Sequence, residues 1–146
     1  MKVITIEGEQ NSGKTTLVRN VLRRLVNDGA EVLYYRVYGH LLNDFYAVVI
    51  WRARKIMLYS IGDRIDYIQE GLEFLKGTEW IKGVGSDILV NTRTLSVDEK
   101  QYKRLLPPEC DLRSVSVTPP PKLKNIEPFV KKNQVALESI MAMLSE

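Results

Sequence analysis

The chain has almost none of the residues that make covalent or metal staples: one cysteine, Cys110, and one histidine, His40, among 146 residues. A lone cysteine excludes an internal disulfide, and one Cys with one His cannot complete the usual zinc ligand sets. A reducing compartment follows. Cys110, after Pro107-Pro108-Glu109, reads as a small apolar residue rather than a nucleophile, and His40 has no motif partner to make it catalytic. Long apolar runs are missing as well. The longest, Phe45 to Trp51, has the length of a strand, whereas a membrane span needs about 20 residues. The N-terminus enters an apolar strand at once, leaving no room for a targeting segment, so a cytoplasmic location without membrane contact is expected. Charge of one sign is scarce too: 21 Lys and Arg stand against 18 Asp and Glu, a net charge of +3 that does not indicate a nucleic-acid partner. The length suits a single domain, 1–146, with a proper core.

What the chain does have is Gly8-Glu9-Gln10-Asn11-Ser12-Gly13-Lys14-Thr15, with Thr16 next, a match to G-x-x-x-x-G-K-[ST]. It lies between the short apolar strand Val3–Ile6 and a helix that places Leu17, Val18, Val21, Leu22 and Leu25 on one face. A triphosphate needs several donors converging on its oxygens. A loop whose backbone N–H groups turn inward ahead of a helix N-terminus supplies them, along with the positive end of the helix dipole. Gly8 and Gly13 permit close backbone approach. Lys14 would reach the β- and γ-phosphates, and the Thr15 hydroxyl would ligate Mg²⁺. Residues 8 to 16 are therefore the expected cofactor-binding set for Mg²⁺ and a nucleoside triphosphate.

The run Val3 to Thr16 resembles the Walker A region of P-loop NTPases, and its flavour is similar to the opening of thymidylate-type nucleotide kinases. The likeness covers about the first thirty residues. It implies an α/β P-loop NTPase three-layer sandwich, ATP and Mg²⁺ as cofactors, and hydrolysis or phosphoryl transfer assisted by Lys14. A non-catalytic switch acting on a protein partner, a nucleic acid or a second copy of the chain is the other reading.

The remaining pattern fits that architecture. Asn27-Asp28-Gly29 stops the first helix, and Glu31–Tyr38 reads as a strand, making a βαβ-type unit with the first strand. Phe45–Trp51 and Lys55–Ser60, separated by Arg52-Ala53-Arg54, are too closely linked for a crossover helix and read as an antiparallel hairpin; their β-branched and aromatic density argues against one long helix from Asn43 to Ile61. A helix carrying Ile65, Ile68, Leu72 and Leu75 stops at Gly77, and a buried strand runs from Ser86 to Asn91. Ser96-Val97-Asp98-Glu99 has the form of a capping box for a short helix ended by Pro107-Pro108. A strand over 112–117 is followed by three prolines and a closing helix near 127–144, with Phe129, Val130, Leu137, Ile140, Met141 and Leu144 on one side. The expected fold is a mostly parallel sheet of five or six strands, with one antiparallel hairpin strand and helices on both faces.

Beyond the loop, a carboxylate near Mg²⁺ is expected at the end of the strand beside the first one. Asp63, after an apolar run and Gly62, is the catalytic and metal candidate, with Ser60 behind it; an Asp just before Ile65 is also an ordinary helix N-cap. Asp87 begins its strand and so belongs to the opposite edge. Asp63-Arg64 resembles the Asp-Arg pair of thymidylate-type kinases, although no Arg-rich lid accompanies it. The order of elements resembles small GTPases, but Asn91-Thr92-Arg93-Thr94 lacks the Lys and Asp of their guanine-reading N-K-x-D, which leaves adenine as the expected base. Thr118, in the loop after the last strand, is a candidate base contact. Arg52, Arg54 and Lys55 read as a solvated hairpin tip, and Arg93 as a residue able to reach phosphates but not expected to.

Overall fold

A computed structural model describes residues 1–10, 12–38, 44–77, 88–118 and 127–146, without the side chains of 75 and 127–129. The strands are β1 (Lys2–Gly8), β2 (Glu31–Tyr38), β3 (Asp44–Trp51), β4 (Arg54–Tyr59), β5 (Ile88–Thr94) and β6 (Asp111–Ser116). The helices are α1 (Lys14–Asn27), α2 (Ile65–Gly77), α3 (Glu99–Leu105) and α4 (Glu127–Ser145). One six-stranded sheet has the order β2-β3-β4-β5-β1-β6. The pairs β1/β5, β1/β6 and β4/β5 are parallel, while β2/β3 and β3/β4 are antiparallel, so β3 is the one strand running against the others.

The two central strands show why their sequences do not alternate. β1 and β5 are covered on both faces, and a strand covered twice reads as a continuous apolar or buried run. On one face Leu17, Val21 and Leu25 of α1 pack with Ile140 and Leu144 of α4 over Ile4, Ile6, Leu58 and Val90. On the other, Ile68 and Leu72 of α2 and Tyr102 of α3 cover Val3, Met57 and Leu89. At roughly 25 cal/mol per Å² of apolar area, fully burying each such side chain favours folding by about 1.5–3 kcal/mol.

Several boundaries follow from local chemistry. α1 ends in paired bonds, Gly29 N–H to the Val26 carbonyl at 3.0 Å and Ala30 N–H to the Leu25 carbonyl at 2.9 Å. Gly29 takes φ 93°, the left-handed position such a stop requires. The helix after β5 starts two residues beyond the expected cap: Asp98, not Ser96, accepts the Gln101 N–H at 2.9 Å. Val97 explains the shift, because it is buried in the core and its N–H is drawn back to the Thr94 carbonyl at 2.9 Å, which leaves Ser96 in the preceding turn. β5 extends to Thr94, past the expected end at Asn91, while Ser86 and Asp87 lie outside the described residues. In α4 Val130 is exposed rather than inward, and Ala136 takes a core place.

α4 has no basic residue in its last turn. Its terminal carbonyls are met from the sheet: Lys2 Nζ donates to the Met143 oxygen at 2.8 Å and Arg54 to the Leu144 oxygen at 3.1 Å, while Arg113 pairs with Glu146 at 2.9 Å.

The sheet order departs from the expected βαβ neighbourhood. β2 runs in the same direction as β1 but sits at the far edge, with β3, β4 and β5 between them. The basic tip is also not simply solvated. Arg52 pairs with Asp28 at 3.2 Å and lies 4.3 Å from the Trp51 ring, and Lys55 is 2% exposed.

The hairpin turn itself generates a prediction. Arg52 and Ala53 both have positive φ, 49° and 61°, as a two-residue turn matching strand twist requires. A side chain there costs about 1–2 kcal/mol, against about 0.4–1 kcal/mol of unfolded-state freedom that glycine adds. Ala53→Gly should raise the unfolding free energy by about 0.5–1 kcal/mol in urea titrations.

Candidate functional site

The carboxyl ends of the parallel strands carry the site. β1 ends at Gly8, level with Thr94 of β5, and the loop then leads into α1 at Lys14. A Cβ at Gly8 would lie 2.5 Å from Ser12 Oγ and 2.8 Å from the Val117 carbonyl oxygen, so the loop closes only on glycine there. Gly13 takes φ 90° as the residue preceding the helix. Lys14 folds back under the loop, its Nζ donating to the Glu9 carbonyl at 2.6 Å and to Ser12 Oγ at 3.4 Å. Burial lowers its pKa from the ordinary lysine value, and the nearby Asp63 charge offsets part of that.

Ser12, Gly13, Lys14, Thr15, Thr16, Asp44, Ser60 and Asp63 line a cavity of about 350 Å³. Sequence reasoning named all of these except Asp44. The direction of β3 brings Asp44 in: an antiparallel strand begins where its parallel neighbours end. Asp44 Oδ1 accepts from Ser60 Oγ at 2.9 Å and lies 3.5 Å from Thr15 Oγ1. Ser60 in turn accepts from the Phe45 N–H at 3.0 Å, so its partner is Asp44 rather than Asp63. The only sequence signal for Asp44 was an acid directly ahead of an apolar strand, and it becomes informative once the strand direction is known.

Asp63 reaches the cavity differently from expected. It follows β4, which is separated from β1 by β5. Its Oδ1 accepts from Thr94 Oγ1 at the end of β5, at 2.5 Å. The turn is pinned further by Thr94 N–H to the Gly62 carbonyl at 2.9 Å and by Thr92 Oγ1 to the Ser60 carbonyl at 2.9 Å.

The stretch read against the guanine motif thus serves the interior. Asn91, Thr92, Arg93 and Thr94 are all buried. Arg93 pairs with Glu7 at 3.2 Å and donates to the Val97 carbonyl at 2.7 Å, which commits it away from the cavity. Asn91 donates to Tyr59 at 3.0 Å and to Tyr102 at 2.8 Å, and accepts from Thr5 at 2.8 Å. Burial pushes the Tyr102 hydroxyl up to about 12, while its bonds to Thr5 and Asn91 pull the other way.

Of the other candidates, Glu9 and Gln10 are exposed on the loop outside the cavity lining, and Asn11, His40 and Asp87 lie outside the described residues. Thr118 lines a separate cavity of about 510 Å³ between the end of β6 and α4, with Val117, Lys131, Asn133 and Ala136. Cys110 is half-buried against the core.

Chemically, one cation, four hydroxyls, two carboxylates and a helix N-terminus line one space. No group of three His, Cys, Asp or Glu side chains able to hold a metal by itself occurs among the described residues. Magnesium does not need one, because it is usually held by one or two carboxylates together with substrate phosphates. Thr15, Asp44 and Asp63 fit that donor set. No protein-family profile matches the chain, and no curated protein or solved structure matches it either.

Gly62 generates the prediction here. A Cβ on it would fall 2.2 Å from the Thr92 carbonyl oxygen, which is backbone of the neighbouring strand. Gly62→Ala should cost about 1–3 kcal/mol in chemical denaturation, and crystals of the variant should show Asp63 withdrawn from Thr94.

Proposed function

We propose that the chain is a P-loop NTPase-type protein that binds ATP with Mg²⁺ and hydrolyses or transfers the γ-phosphoryl group. The observation that supports this best is that the Ser12–Thr16 end of the loop, with Lys14 and Thr15, lines one cavity together with Asp44 and Asp63 at the carboxyl edge of the sheet. Ligands in open α/β sheets bind at that edge.

In this reading Lys14 exchanges the Glu9 carbonyl for phosphate oxygens. Desolvation disfavours its charge, and an incoming polyanion compensates that deficit. Backbone N–H groups at the start of α1 orient the phosphates. Thr15 together with Asp44 and Asp63 would hold the magnesium ion, which when bound neutralises charge developing on the phosphoryl oxygens. Thr94 keeps Asp63 aimed at the cavity through its hydroxyl. A second reading, a nucleotide-dependent switch for a partner, draws on the Thr15 to Asp44 link, since a ligand at Thr15 would be felt at the first residue of the hairpin.

Two measurements test the proposal. Lys14→Ala should weaken ATP binding by roughly tenfold or more, about 1.4 kcal/mol, with the fold retained; equal affinities in calorimetry would overturn the phosphate-binding reading. ATP should compete with a fluorescent nucleotide at least as well as GTP does, because Asn91-Thr92-Arg93-Thr94 offers no carboxylate for guanine and its side chains are occupied inside the protein. A preference for GTP of about ten to one would return the chain to the GTPase reading.

A further inference from the structure

Asp63 lines two hollows. Besides the loop cavity, it forms one wall of a second space of about 400 Å³ whose other polar walls are Arg64, Asp66, Ser96, Asp98 and Gln101. That volume lies within the range of about 300–1,000 Å³ typical of small-molecule sites. Ile65 and Val97 supply an apolar side. Asp63 is the one residue in the lining of both, so the second hollow adjoins the loop cavity.

The charge of this pocket decides what fits. Its walls carry three carboxylates and one guanidinium. The guanidinium is already neutralised: Arg64 Nε and Nη2 donate to the two Asp66 oxygens at 3.1 and 3.0 Å, and Arg64 lies 5.0 Å from the Tyr67 ring. Asp98 Oδ1 is engaged with the Gln101 N–H at 2.9 Å. Among the described residues, then, the pocket has no unpaired cation to receive a phosphate group, and an anion entering it would meet net negative charge. Available for recognition are the Ser96 hydroxyl, the Gln101 amide and the second oxygen of Asp98, groups suited to hydroxyls.

We propose that this pocket is the seat of a phosphoryl acceptor, and that the acceptor is an uncharged hydroxyl compound of sugar or nucleoside size, not a nucleoside monophosphate. The inference rests on the nucleotide reading of the loop cavity and selects transfer over hydrolysis. In the step, the acceptor hydroxyl oxygen attacks the γ-phosphorus of ATP and forms a new P–O bond. The bond between the γ-phosphorus and the β–γ bridging oxygen breaks, and ADP leaves with that electron pair. The hydroxyl proton is released to solvent water as the new P–O bond forms. The products are ADP, the phosphorylated acceptor and a proton.

The test uses the full chain with Mg²⁺ and γ-labelled ATP, offering thymidine and ribose as neutral probes and thymidine 5′-monophosphate as the anionic one. Label should pass to a neutral probe at least tenfold faster than to water, and the monophosphate should be a poor acceptor. Gln101→Lys places a cation in the pocket while keeping the Asp98 cap on the backbone. It should reduce the discrimination against the monophosphate at least tenfold in kcat/KM, an effect that a purely structural role would not produce. ATP calorimetry on the same samples separates the two ways of failing. ATP bound with all label released as inorganic phosphate, or a faster transfer to the monophosphate, overturns the acceptor seat alone. Absence of ATP binding overturns the nucleotide reading and this inference with it.

Discussion

Thr5, Tyr59, Asn91 and Tyr102 have each been taken wholly out of water, and they satisfy one another. Asn91 is the hub, bonded to three neighbours from β1, β4 and α3. An unsatisfied buried polar group costs about 1–3 kcal/mol, so none of the four tolerates sliding away from the rest. That requirement pins the register of β1, β5 and β4 at mid-strand. The pinned register sets Gly8, Thr94 and Ser60 together at the same edge. The site therefore depends on a polar constraint inside an otherwise apolar sheet, where hydrophobic contact alone specifies position less sharply.

Electrostatics at that edge follow from which charges are held by the protein and which are left facing the cavity. Arg93 is buried but matched by Glu7, so it strengthens the sheet without contributing to the cavity. Lys14 is buried and, among the described residues, leans on neutral oxygens, the Glu9 carbonyl and Ser12 Oγ. Asp44 and Asp63 each keep capacity beyond the hydroxyl bonds they accept. The edge is thus asymmetric, with a cation beneath and anions at the side, an arrangement suited to a ligand that carries a cation of its own.

Much of this was readable from the residues. The stripe of α1 and the limits of β2 were legible because Gly29 and Gly39 bracket a dense β-forming run, and the hairpin was legible because three residues cannot span a crossover. Sheet order was not, since periodicity identifies elements but not their neighbours. The capping residue of α3 was ambiguous because Ser96 and Asp98 are both good caps, and burial of Val97 decides between them. Asp44 could not be placed without knowing that β3 runs backwards. Asn91 to Thr94 were read as a contiguous motif, whereas alternation sends Asn91 and Arg93 to one face and Thr92 and Thr94 toward the Gly62-Asp63 turn.

The end of α4 has a consequence for the order in which the structure can form. Its last carbonyls find their cations on β1 and β4, and Arg113 of β6 holds the residue after it, contacts reaching across as many as 141 positions of chain. A helix normally brings its own stop, as α1 does. Beside one local bond, Ser145 Oγ to the Met141 carbonyl at 2.9 Å, the end of α4 draws its cations from strands distant in sequence, so its anchoring is largely non-local and the kind of contact that closes late rather than early.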